Sequence, residues 1–199
     1  RSSIVIPCLN EEASIAEVVR AAQAGLDRAG VPGEVIVVDN GSGDRSAERA
    51  AEAGARVLRE TRRGYGAAIR RGFAASRADI LVMADGDLSY DLTKLDAFLA
   101  PLLDGSADFV VGNRLDNVHH GAMPKLHQHV GTPVLTWMVR LLFGCKTLKD
   151  SQCGFRAIRR VAYERLRCMT TGMEFASEMI AKAAIEGLRI AQRDIEYHP

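Results

Sequence analysis

Several signatures that would select a function outright are missing from this chain. Neither sign of charge is in surplus: 26 lysines and arginines stand against 25 aspartates and glutamates, a formal net charge of +1. A protein that grips nucleic acid by its overall field is thereby excluded, and any anion site has to be local. Cysteine is scarce, and Cys8, Cys145, Cys153 and Cys168 lack the paired spacing of a zinc site. Reduced thiols and a cytoplasmic setting are the expectation. No run is apolar for long enough to span a bilayer, and the first residues do not read as a secretory leader. Gly41-Ser42-Gly43 stops short of G-x-G-x-x-G, and no P-loop lysine motif occurs, which disfavours a dehydrogenase or a P-loop triphosphatase. Internal repeats, low-complexity tracts and linkers are also missing, so one α/β domain over residues 1–199 is expected. Because the chain opens directly on a strand without methionine, it reads as the catalytic portion of a longer protein.

What the chain does contain is a regular alternation. Short apolar strands are expected at residues 4–7, 34–39, 56–59 and 79–83, with helices at residues 15–29, at 46–53 and up to residue 76 between them. Strand, helix, strand in succession implies right-handed crossovers and a mainly parallel sheet. Ligands bind beyond the carboxyl ends of such strands, which places residues 7–11, 39–42 and 85–89 on one rim. The second half is expected to carry a helix at 93–103, a strand at 108–112, helices at 161–167 and 174–186, and a last strand at 189–197. Between them residues 126–143, around Trp137 and Leu141, form a helix rich in apolar side chains. Such a helix is either buried in the core or laid against a bilayer surface, with Lys125, Arg140, Lys146 and Lys149 toward the headgroups. His119, His120, His127 and His129 lack the spacing of a two-histidine metal site and read as loop residues.

On that rim the chemistry concentrates in Asp85-Gly86-Asp87, where the fourth strand stops. Two carboxylates separated by glycine can converge on one hard cation, Gly86 letting the backbone bend; oxygen ligands suit Mg2+ or Mn2+. A cation held by one or two protein carboxylates keeps positions open for phosphates. Arg114 and Arg156, each at an element end in a glycine-bearing turn, are candidates for bidentate phosphate contacts. Asp39, at the end of the second strand, is placed to accept from a ribose hydroxyl or a base N–H.

Five ordered motifs carry a resemblance: Ile6-Pro7-Cys8-Leu9-Asn10-Glu11, Val37-Val38-Asp39-Asn40-Gly41-Ser42, Asp85-Gly86-Asp87, Val111-Gly112-Asn113-Arg114 and Ser151-Gln152-Cys153-Gly154-Phe155-Arg156. Together they resemble family 2 inverting glycosyltransferases, above all the dolichyl- or polyprenyl-phosphate mannose and glucose synthases. The resemblance implies the Rossmann-like GT-A fold, an α/β three-layer sandwich with a mainly parallel central sheet. It implies that Pro7, Leu9 and Glu11 line the base and ribose of a UDP- or GDP-hexose, with Asp39 and Asn40 completing that pocket. Asp85 and Asp87 would hold the metal, Ser89 would stand where mannose synthases often carry glutamine, and Arg114 and Arg156 would face phosphate groups. Leu9 in place of a common tyrosine, Asn40 in place of a second aspartate and Gly86 in place of alanine leave nucleotide and sugar open.

The expected reaction is a single displacement with inversion at the anomeric carbon, the metal offsetting charge on the leaving diphosphate. A lipid-phosphate acceptor is already anionic and needs no base; the enzyme would then sit on the cytoplasmic face of a membrane. A hydroxyl acceptor needs a base, and Asp150 is the candidate. A sugar-nucleotide binding or nucleotidyl-transferring domain is the reading from a different class, disfavoured because residues 8–11 are acidic and free of glycine.

Overall fold

The computed structural model describes residues 1–114 and 148–197. The helix expected at residues 126–143, the four histidines of the neighbouring loop, Trp137, Leu141, Lys125, Arg140 and Lys146 therefore lie outside the described residues. The first half runs β1 (Ser2–Cys8), α1 (Ile15–Arg28), β2 (Gly33–Asp39), α2 (Ser46–Glu52), β3 (Arg56–Arg59), α3 (Tyr65–Ala75) and β4 (Ile80–Met83). A 3-10 turn (Leu92–Lys94), α4 (Leu95–Leu103) and β5 (Phe109–Asn113) follow. Then come β6 (Arg156–Arg159), α5 (Arg160–Leu166), α6 (Phe175–Ile185) and β7 (Ile190–Asp194).

The strands assemble in the order β3-β2-β1-β4-β6-β5-β7. β1, at the centre of the parallel part, is buried along almost its whole length, as a strand covered on both faces must be. α1, α2 and α4 cover one face, while α3, α5 and α6 cover the other. α1 shows why its sequence is helical: Ile15, Val18, Val19, Ala22 and Leu26 recur at three- and four-residue steps and are all buried. Its acidic Glu17 and basic Arg28 sit at the ends where the helix dipole favours them.

One strand breaks the parallel expectation. β6 runs antiparallel to both neighbours, β4 and β5, and sits between them. This insertion brings the residues just before Arg156 to the carboxyl end of β4, where Gly154 N–H donates to the Tyr90 hydroxyl.

Register decides how the rim is shaped. β1 and β2 stay paired as far as Cys8 with Asp39. β4 leaves β1 at the Val5 to Met83 pairing, three residues earlier, with Ala84 N–H still donating to the Val5 carbonyl. Residues 85–87 are thus free to run out past the sheet beneath residues 7–8. The Ser14 hydroxyl fixes this path by donating to the Gly86 carbonyl at 2.7 Å. The bend is not made where the sequence suggests. Leu88, not Gly86, has the left-handed backbone, at φ 64°, and a Cβ at Gly86 would meet nothing nearer than 3.5 Å. An alanine fits there, so the glycine is not what lets the two carboxylates converge.

Candidate active site

A cavity of about 500 Å³ opens at the carboxyl ends of β1, β2 and β4. Pro7, Leu9 and Glu11 supply one wall, Asn40, Arg63 and Tyr65 another, and Asp85, Gly86 and Asp87 the floor. The loops that form it are stitched together. Asn10 N–H donates to the Ser42 hydroxyl, Gly43 N–H donates to the Asn10 side-chain carbonyl, and Glu11 N–H donates to the Ser46 hydroxyl at 2.8 Å. Such mutual bonding holds two strand-end loops in one arrangement.

Asp85 is the most constrained group. Its Oδ1 accepts from the Tyr65 hydroxyl and its Oδ2 from the Tyr90 hydroxyl, both at 3.0 Å. Among the described residues no cationic side chain comes within ion-pair distance of it. Burial pushes its carboxyl above the usual carboxylate range and the neighbouring charge of Asp87 adds to this, while the two tyrosine hydroxyls act the other way. Both phenols are themselves raised well above their ordinary value, first by burial, so they remain donors. Asp87 is exposed, and its Oδ1 accepts from Ser89 N–H at 3.0 Å. An oxygen-only pair of this kind fits Mg2+ or Mn2+. No third histidine, cysteine, aspartate or glutamate joins it among the described residues, so most of a cation's coordination would fall to phosphate or water.

Several expected site residues are positioned differently from their sequence reading. Asp39 is buried, its Oδ1 taken by Ser42 N–H and its Oδ2 3.7 Å from Arg59 Nε. Asn40 lines the cavity, yet its amide donates to the Glu60 and Arg62 carbonyls and its oxygen accepts from Gly64 N–H. It braces the loop that presents Arg63. Ser89 is buried behind Asp87.

Three expectations are corrected. Arg156 does not reach the cavity: it is fully buried and donates to the Cys153, Ser151 and Ala176 carbonyls. Arg114 forms a fork with Asp150, Nε to Oδ2 at 2.8 Å and Nη2 to Oδ1 at 3.1 Å, and lies over the Tyr197 ring. Burial is the largest single influence and opposes its charge, but the bonds to Asp150 and the neighbouring ionisable groups together outweigh it, and the guanidinium stays protonated. Asp150, in turn, is fully buried and also accepts from the N–H groups of Arg114 and Gln152. With its lone pairs engaged it has no place as a general base. A strand-end arginine or aspartate looks alike in sequence whether its partner is a substrate or the protein.

The sequence assigns no site role to Tyr65 or Tyr90, and Gly154 figures there only as a member of the fifth motif. The signal available was the need of a buried strand-end carboxylate for donors, but nothing in the spacing says which side chains provide them.

The seven-stranded, mostly parallel sheet matches solved structures of GT-A glycosyltransferases. The glucosyl-3-phosphoglycerate synthase of Mycobacterium tuberculosis, solved in complex with Mn2+, UDP and phosphoglyceric acid, superposes with a TM-score of 0.80 at 27% identity over 100% of this chain and 70% of that one. The model of the family described as glycosyl transferase family 2 matches residues 3–167, and the chain belongs to that family. The low-salt glycan biosynthesis hexosyltransferase Agl6 of Haloferax volcanii is 41% identical over 99% of this chain, which spans 48% of that relative's length. A dolichyl-phosphate hexose transferase of the same organism is 32% identical over 98% of this chain and 82% of its own length.

Proposed function

We propose that this chain moves a hexose from a nucleotide-diphosphate sugar, a UDP- or GDP-hexose, to a polyprenyl or dolichyl phosphate, with inversion. The observation that carries the reading is the meeting of Asp85 and Asp87 with Pro7, Cys8, Leu9, Glu11 and Asn40 on one cavity. Pro7, Leu9 and Glu11 would flank the base and ribose, and Asp39 would support them by fixing the Ser42 turn. Arg63 brings a guanidinium to the same wall, where a diphosphate needs one. Asp85 and Asp87 would hold Mg2+ or Mn2+, which when bound supplies charge stabilisation for the departing diphosphate. Ser89 N–H keeps Asp87 oriented for that task.

The commitment of Asp150 to Arg114 favours an acceptor that needs no base. A phosphate is largely dianionic near neutral pH, since its second pKa is about 6, whereas a sugar hydroxyl must lose a proton to something. The relative named as a dolichyl-phosphate hexose transferase supports the same acceptor class. Attachment to the cytoplasmic face of a membrane belongs to this reading and rests on the apolar residues 126–143. Among the described residues no helix is long and apolar enough to cross a membrane.

The test is a panel of UDP- and GDP-hexoses offered with polyprenyl phosphate and Mn2+ or Mg2+, read by mass spectrometry. A hexosyl-phosphate lipid is expected, lost in Asp87→Ala. Transfer to phosphoglyceric acid or a free sugar, with none to the lipid, would replace this acceptor with a soluble one. Sedimentation with anionic liposomes checks the membrane component.

A further inference from the structure

We infer that Tyr65 and Tyr90 are positioning residues for the metal-binding carboxylate, a pair of neutral clamps that fix Asp85 while leaving its charge uncancelled; this rests on the proposed metal site. The argument begins with the number of partners a carboxylate can accept. Two oxygens offer about four lone-pair sites, and the tyrosines take one on each oxygen. An arginine in their place would also hold the group, but it would neutralise it and compete with a cation. Two phenols do not.

The direction of the Tyr90 proton is set by a further bond. Its hydroxyl accepts from Gly154 N–H at 3.1 Å, so its single proton is left for Asp85. Its ring packs in turn against Phe155 and Tyr197, each with its centroid 5.7 Å away. Tyr65 begins α3, and the N–H groups of the next two residues, Gly66 and Ala67, donate to the Gly172 and Thr171 carbonyls. Three segments distant in sequence thus converge to hold one side chain. Asp87 has no comparable support: it is exposed, with the Ser89 N–H as its bond among the described residues. Asp85 is therefore the fixed member of the pair and Asp87 the adaptable one.

The test uses the chain with saturating UDP and no sugar donor, with free Mn2+ followed by electron paramagnetic resonance as it is titrated in. Tyr65→Phe and Tyr90→Phe keep the rings and remove only the hydroxyls. Each is expected to weaken Mn2+ binding about 10-fold, the lower end of what loss of a ligand's supporting bond does, and the double variant at least as much. Tyr163→Phe, a ring edge-on to Phe73 and away from the site, is the control and should leave Mn2+ affinity within twofold. Melting temperatures of all variants separate a lost clamp from a lost fold, and Tyr65→Phe decides alone if Tyr90→Phe does not fold. Both single variants and the double binding Mn2+ as the parent does, while Asp87→Asn abolishes binding, would overturn the clamp and spare the metal site. A parent chain that takes up no Mn2+, or an Asp87→Asn variant indistinguishable from it, would overturn the metal site and the clamp with it.

Discussion

Gly154→Ala isolates the geometry of Asp85 from its chemistry. A Cβ on residue 154 would stand 2.4 Å from Asp85 Oδ2 and 3.0 Å from both Cγ and Oδ1. Ordinary carbon-to-oxygen approaches are about 3.3–3.6 Å, so the carboxylate has to retreat by about 1 Å. It cannot do so freely, because a tyrosine hydroxyl holds each oxygen at 3.0 Å. Overpacking of this sort costs about 1–3 kcal/mol of stability. If the carboxylate swings off one tyrosine, a hydrogen bond to a charged group goes too, about 1.5–3 kcal/mol more. For activity the displacement matters more than the stability, since a misplacement near 1 Å can cost about 100-fold in rate. The matched control is Gly86→Ala, whose Cβ meets nothing nearer than 3.5 Å and which should change stability by no more than about 0.5 kcal/mol. Denaturant unfolding, Mn2+ affinity in the presence of UDP and initial transfer rates are compared for the two. The reasoning is refuted if Gly154→Ala binds Mn2+ and turns over as the parent does, or if Gly86→Ala is equally damaging.

Asp150→Asn should behave as a broken buried ion pair, losing about 3–5 kcal/mol, with the pH dependence of the remaining activity unchanged in shape; a fully stable variant with an altered pH-rate profile would restore the base role. Asn40→Ala removes three bonds to the 60–64 loop and should cost about 1–3 kcal/mol and weaken UDP binding, as read by denaturant melts and calorimetry. Asn40→Asp should be at least as harmful, because a carboxylate would face the Glu60 and Arg62 carbonyls without a proton to donate. Glu178 is raised by burial but lowered further by Lys182, Thr170 and the Met169 and Thr170 N–H groups, to about 2. A carboxyl with a depressed folded-state pKa stabilises above its ordinary value near 4.5 and loses that contribution as pH falls toward about 2. Melting temperature against pH over that window should therefore be flatter in Glu178→Gln than in the parent.

Much of the fold was legible because buried parallel strands leave apolar runs, and β1 to β4 appear within a residue or two of where those runs lie. The rim followed from the rule for parallel sheets, and Asp85 and Asp87 fall on it with Pro7, Leu9, Glu11 and Asn40. The antiparallel β6 was not legible: nothing in the four residues Arg156–Arg159 states a strand's direction or its neighbours. The arginines failed for a related reason. Sequence shows that Arg114 and Arg156 need partners, and in the folded chain Asp150 and three carbonyls meet that need before any substrate can.

By itself, then, the sequence determined the alternating architecture, the family motifs and the carboxylate pair, because periodicity and short-range spacing are local properties of a chain. Tertiary structure alone decided which polar groups face the cavity and which brace it. Tyr65, Tyr90 and Gly154 meet at Asp85 through loops that pack together only once the sheet has formed. Hydrogen-bond satisfaction is settled in space, among groups whose separation along the chain carries no trace of the contact.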